Sequence, residues 1–206
     1  MPPPADSTHA AEITHEIVLR AQSGGTAGFR ELYERIAPSL LAWARMRAAG
    51  SGAIACDPED VAQEVWARAL SEFARFDVHR ATFRAWIFGI AKHVLYETWR
   101  QGEHRETLPR SPDQTAALES WPDVATSIRT RLARDELVED LLRRTEAFDP
   151  LDRKLLLHCG FEDMSCPQAA RQLGIGIEAA SKRWQRLRAR LLELQFAGLV
   201  ELREIA

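Results

Sequence analysis

Cysteine is scarce in this chain: three residues, Cys56, Cys159 and Cys166, an odd number without a framework spacing. A disulfide-stapled scaffold is thereby excluded. His158 stands beside Cys159, but no CxxC and no second histidine completes a metal site, so the thiols read as small buried apolar groups. Long apolar runs are also missing. None approaches the roughly 20 residues that span a bilayer, and the opening Met1-Pro-Pro-Pro-Ala-Asp has no signal-peptide core. A cytoplasmic protein without membrane insertion is expected. No phosphate loop, nucleophile or metal cluster appears either, so neither an enzyme nor a cofactor is expected. Cations are not in excess, with 27 Lys and Arg against 30 Asp and Glu, a net charge of -3. Affinity for a duplex comes largely from neutralised phosphates, so such a chain should hold DNA weakly unless a partner presents it. What is present is 46% hydrophobic and 28% charged residues in a chain of 206, enough for one large or two small globular domains.

The most informative stretch runs from Asp57 to Arg100. Asp57-Pro58-Glu59-Asp60 predicts a helix start, with an acceptor at the cap, proline at the first helical position and carboxylates toward the positive end of the dipole. Val61, Val65, Ala69 and Phe73, flanked by Ala62, Trp66 and Leu70, make one apolar stripe. Asp60, Gln63 and Glu64 fall on the opposite face. After the turn from Arg75 to Ala81, Thr82 is a cap for a second helix whose Phe83, Trp86, Ile87, Ile90, Ala91, Val94, Leu95 and Thr98 face a core. The other side of that helix interleaves Arg84, Lys92 and Arg100 with Phe88, Tyr96 and Trp99. Cations beside aromatics suit stacking on unpaired nucleotides, although Phe88 and Trp99 also read as packing against the first helix of the domain.

Three blocks in this order, Asp57-Pro-Glu-Asp-Val-Ala-Gln-Glu-Val-Trp, Arg75-Phe-Asp and Thr82-Phe-Arg-Ala-Trp-Ile-Phe-Gly-Ile-Ala-Lys, resemble the second conserved region of bacterial sigma factors of the extracytoplasmic-function type. Phe29-Arg-Glu-Leu-Tyr-Glu-Arg-Ile-Ala-Pro is similar to the opening helix of that region, in a stripe that continues through Pro38, where a kink is expected. Residues 1–24 read as a loosely held tail with a short helix through Ile13, Ile17 and Val18, and Ala48 to Ala55 as a Gly- and Ala-rich connector.

Residues 102–128 contain Pro109, Pro112 and Pro122 among polar residues and read as a flexible linker. A second helical domain follows, with Leu132, Leu137, Val138, Leu141 and Leu142 on one face and a cap-then-proline start at Asp149-Pro150. Ser165-Cys-Pro-Gln168 has the form of a capping box, Ala169, Ala170 and Leu173 face inward, and Gly174 closes the helix. Ala180, Trp184, Leu187, Leu191 and Leu194 line the next helix, so the pair reads as a helix-turn-helix. Ser181, Lys182 and Gln185 are candidates for base contacts, and Arg183, Arg186 and Arg188 for phosphate contacts. The rival reading of that face is a solvated amphipathic helix. Gln168-Ala-Ala-Arg-Gln-Leu-Gly-Ile and Lys182-Arg-Trp resemble the fourth sigma region, but Ala180-Ser-Lys-Arg-Trp stands where the family commonly has Val-Lys-Ser-Arg-Leu.

The resemblance implies an all-α protein of two small helical domains joined by a flexible linker: a region 2-like domain over 25–101 and a region 4-like helix-turn-helix domain over 129–206. It implies core RNA polymerase and promoter DNA as partners, and adds an anti-sigma factor, which often holds members of the family inactive. Asp60, Gln63 and Glu64 would meet a basic coiled coil of the polymerase. The turn with His79 and Arg80, together with Arg84, Lys92 and Tyr96, would take the -10 element, and Ser181, Lys182, Arg183, Gln185, Arg186 and Arg188 the -35 element. Two alternatives stay open: a stand-alone helix-turn-helix regulator, against which the acidic balance argues, and a regulatory interaction protein that never binds DNA, which leaves the cationic helix unexplained.

Overall fold

In the computed structural model, residues 5–23, 26–50, 57–102, 136–196 and 199–200 are described. Every regular element among them is helical. Helices α1 (Ala5–Gln22), α2 (Thr26–Gly50), α3 (Pro58–Glu72) and α4 (Phe83–Gly102) form an N-terminal unit. A second unit contains α5 (Glu136–Thr145), α6 (Pro150–Leu155) with a π-helical turn Leu156–Phe161, α7 (Cys166–Leu173) and α8 (Ile177–Glu193). The linker expected at 102–128 lies almost wholly outside the described residues, as do residues 51–55 of the connector expected at 48–55.

The starts of these helices follow from their caps. Asp57 Oδ1 accepts the Glu59 amide at 2.9 Å and Asp149 Oδ1 the Leu151 amide at 2.8 Å, each with proline next in sequence. Thr82 Oγ1 accepts the Ala85 amide at 3.1 Å, as its place before α4 predicts. α2 runs without interruption through Pro38 and on to Gly50, past the start of the expected connector.

The expected loose tail is different. Its C-terminal half is the end of an ordered helix whose Ile17 and Val18 are buried against α2. Gly28 permits the approach, since a Cβ there would stand 2.8 Å from the Ala21 backbone nitrogen. Gln22 Nε2 donates to Phe76 O at 2.6 Å, so α1 also pins the turn that precedes α4.

Trp66, Phe29 and Tyr33 meet edge to face in the N-terminal core, with centroids 5.9 and 4.8 Å from Trp66. In the second unit Val138 and Leu141 are buried, whereas Leu137, expected on the same apolar face, is exposed. The two units share one hydrophobic core: Phe88 of α4 packs against Trp43 of α2 and Phe161 of the π-helical turn, at 5.8 and 6.2 Å. Burial pushes the Cys159 thiol upward, and that of Cys166 too, so both stay protonated and serve as apolar filling.

Candidate nucleic-acid and partner interfaces

Three surfaces inherit the sequence expectations. The first is the outer face of α3. Asp60 is exposed there and Gln63 and Glu64 are half-buried, one turn apart on one side of the helix. Glu64 Oε1 is held by Arg68 Nε at 2.7 Å, and Arg68 reaches on to Glu97 of α4 at 2.8 Å. Beside them Glu59 pairs with Arg45 of α2 at 2.6 Å. The i, i+4 spacing of Glu64 and Arg68 was readable; the Arg45 and Glu97 partners belong to other helices and were not.

The second surface is the turn before α4 and the outer stripe of that helix. Asp77 Oδ1 accepts the His79 amide at 2.9 Å and Asp77 O the Arg80 amide at 3.1 Å. That closed turn leaves the His79 and Arg80 side chains exposed. Phe76 anchors it from below, 4.7 Å from the Trp86 ring. Residues 84, 88, 92 and 96 then follow at four-residue intervals, which sets Arg84 and Tyr96 roughly 18 Å apart along the axis. The structure therefore spreads the five candidates over the turn and the length of the helix.

Their environments differ. Tyr96 is 62% exposed, as a stacking platform requires, while Arg84 is only 8% exposed. Arg84 Nε donates to Phe161 O, and Nη2 to Gly160 O and Leu199 O, each at 3.1 Å. Lys92 Nζ lies 3.7 Å from Glu162 Oε2. Phe88, on the same stripe, is fully buried, in line with the packing alternative for that ring.

Glu162 was missed in the sequence. Its side chain is completely buried, with Oε1 accepting from Trp43 Nε1 at 2.9 Å and from the Arg47 guanidinium. His158 Nδ1 stands 3.1 Å from Oε2. Burial opposes ionisation, but the His158 hydrogen bond and the Arg47 charge outweigh it and bring the carboxyl down to about 2.

The third surface is the helix-turn-helix. Gln168 Oε1 accepts the Ser165 amide at 3.0 Å, and Gly174 ends α7 in the left-handed region at φ 67°. α8 follows from Ile177 and packs against α7, with Ala180 buried and the Ser181 side chain hydrogen-bonded to Cys166. Lys182, Gln185 and Arg186 are exposed there, and Ser181, Arg183 and Arg188 half-buried. Lys182 pairs with Glu178 at 2.6 Å, a contact that a phosphate or base can replace on an exposed face. Arg183 is more constrained, because Asp152 holds it at 3.1 Å and Asp149 at 3.5 Å, tying α8 to the start of α6.

Comparison with known proteins addresses the same two units. The family described as Sigma-70 region 2 matches residues 32–105, which include nearly all of α2, α3 and α4. RNA polymerase sigma factor NccH of Alcaligenes xylosoxydans xylosoxydans is 28% identical over 88% of this chain and 94% of its own length. ECF RNA polymerase sigma factor SigD of Mycobacterium tuberculosis is 30% identical over 65% of this chain and 64% of its own. The solved structure of CnrH in complex with the cytosolic domain of CnrY covers 89% of this chain and 97% of that one, at 24% identity and a TM-score of 0.39. With a region 2 match over the N-terminal unit and a relative aligned across both units, the chain belongs to the extracytoplasmic-function sigma factors of the sigma-70 family.

Proposed function

We propose that this sigma factor divides its work between the two helical units. The first docks on core RNA polymerase and opens the -10 element; the second reads the -35 element. The observation that carries the reading is the pairing of a region 2 match over residues 32–105 with a capped helix-turn-helix over 165–193. Chemistry stays with the polymerase, and this chain supplies recognition.

Asp60, Gln63 and Glu64 form the docking face for a basic helical surface. His79 and Arg80 present a polar turn to a flipped base, and Tyr96 offers an exposed ring on which to stack one. Extracting a base costs a few kcal/mol and stacking it on protein recovers about 1 to 3, so a rigid turn is needed to keep the balance favourable. Phe76, buried beneath the turn and bonded through its carbonyl to Gln22, supports that rigidity. On α8, Ser181, Lys182 and Gln185 take base edges, and Arg183, Arg186 and Arg188 take phosphates. A net charge of -3 keeps the free chain from binding duplex strongly, which favours recognition only in complex with the polymerase.

The test is size exclusion of the purified chain with core RNA polymerase, repeated with Asp60, Gln63 and Glu64 all changed to alanine. Stoichiometric co-elution that the triple variant loses, with unchanged helical circular dichroism, is the expected result. Failure of the unaltered chain to co-elute, with tight binding to duplex DNA alone, would replace the reading with a stand-alone regulator.

A further inference from the structure

The acidic face of α3 has a cation beside it. Arg68 lies one turn after Glu64 and donates to it from Nε at 2.7 Å, a pairing that by itself cancels the carboxylate a basic partner is to meet. A second carboxylate answers from α4. Arg68 Nη2 is drawn to Glu97 Oε2 at 2.8 Å, and the other oxygen of Glu97 stands 2.9 Å from His93 Nε2. Residues 93 and 97 form a stripe of their own on α4, one position on from Lys92 and Tyr96, and the Arg68 contact joins that stripe to α3.

Two carboxylates against one guanidinium leave this group acidic while the imidazole is neutral. The side chains of Glu64, Arg68 and Glu97 are 26, 24 and 27% exposed, so their charges are less screened than those of a fully solvated pair. Only Oε1 of Glu64 is engaged, and its Oε2 has no partner among the described residues. A carboxylate oxygen is thus left to accept from an incoming cation. Without the charge of Glu97, the Glu64 and Arg68 pair would be neutral and the face would lose its negative field at that point.

We propose that Glu97 belongs to the polymerase-docking surface as a positioning residue: it neutralises Arg68 and draws the guanidinium toward α4, so that Glu64 keeps an open oxygen and a negative field for a cationic helical partner. This rests on the assignment of Asp60, Gln63 and Glu64 to docking. The docking surface then spans two helices. α4 serves both contacts of the N-terminal unit, with the candidates for DNA on one stripe and the acid that tunes docking on the next.

Equilibrium titration of the dye-labelled full chain with bacterial core RNA polymerase tests this. In about 0.1 M salt, Glu97→Gln should weaken binding about tenfold, because Arg68 is left without its second carboxylate, and the deficit should narrow as salt is raised. Arg68→Gln should bind at least as tightly as the unaltered chain. The double variant, Glu97→Gln with Arg68→Gln, should return to within about threefold of the unaltered chain, since the charge that Glu97 balances is gone. An ion pair that merely ties α3 to α4 predicts equal losses in all three variants, because each lacks the bridge, and that result overturns the proposal. Unaltered binding by Glu97→Gln overturns it as well. Should Glu97→Gln fail to fold by circular dichroism, the other two variants decide: both should bind as stated, and matched losses in both overturn the assignment. The docking reading beneath it fails separately. Core binding that survives alanine at Asp60, Gln63 and Glu64 together removes α3 from the interface, whereas loss in that triple variant with normal binding by Glu97→Gln removes Glu97 alone.

Discussion

Glu162 shows how one side chain can be decided by groups far apart in sequence. A carboxylate with no exposed surface is normally costly, yet this one receives Trp43, Arg47 and His158 and faces Lys92. Its folded value of about 2 lies below the ordinary 4.5, so folding favours the ionised form. The resulting stability is fully present above pH 4.5 and is lost as the pH falls from there toward 2. A shift of that size corresponds to about 3 kcal/mol. Urea unfolding of the unaltered chain at pH 6 and pH 3 should therefore differ by more than it does for Glu162→Gln, which cannot titrate. Identical pH dependences in the two proteins would remove Glu162 as the ionised centre of the junction. At pH 6 the variant should also be the weaker protein, because Arg47 and Lys92 lose their counter-charge.

At the scale of elements, the helix-turn-helix depends on the abrupt end of α7. Gly174 sits at φ 67°, and a Cβ there meets nothing within 4 Å, so Gly174→Ala carries only the conformational cost of an L-residue in the left-handed region. About 1 kcal/mol is expected, which for a chain of this length lowers Tm by roughly 2 to 4 °C. Differential scanning fluorimetry would measure it, and an unchanged Tm would mean that the turn adjusts its backbone. The same element shows why part of the fold was legible. Asp57-Pro58, Asp149-Pro150, Ser165 with Gln168, and Gly174 act within one helical turn of themselves, and each stands where its local chemistry puts it. α1 could not be read that way, because the burial of Ile17 and Val18 comes from the close approach that Gly28 allows. Nor could the fate of Arg84. The carbonyls it caps at Gly160 and Leu199 are 76 and 115 residues further along, and an Arg–aromatic helix face carries no sign that another unit covers it.

For the whole molecule the consequence concerns cooperativity. Two independent bundles joined by a linker would melt separately, whereas here the buried side chains of both units form one cluster. Unfolding the second unit alone would strip Phe161 from Phe88, leave Arg84 without its three acceptors, and leave Arg47 and Lys92 without Glu162. Each of these losses falls on the unit that stays folded, so partial unfolding is penalised beyond the unit that melts. The free chain should accordingly show one calorimetric transition, with a van't Hoff enthalpy on the order of 100 kcal/mol near 60 °C, against about half that for either unit melting by itself. Two resolved transitions in the free protein would mean that the junction is too weak to bind the units into one cooperative body, and a single one that splits in Glu162→Gln would place the coupling in the polar centre of the junction rather than in its aromatic rings.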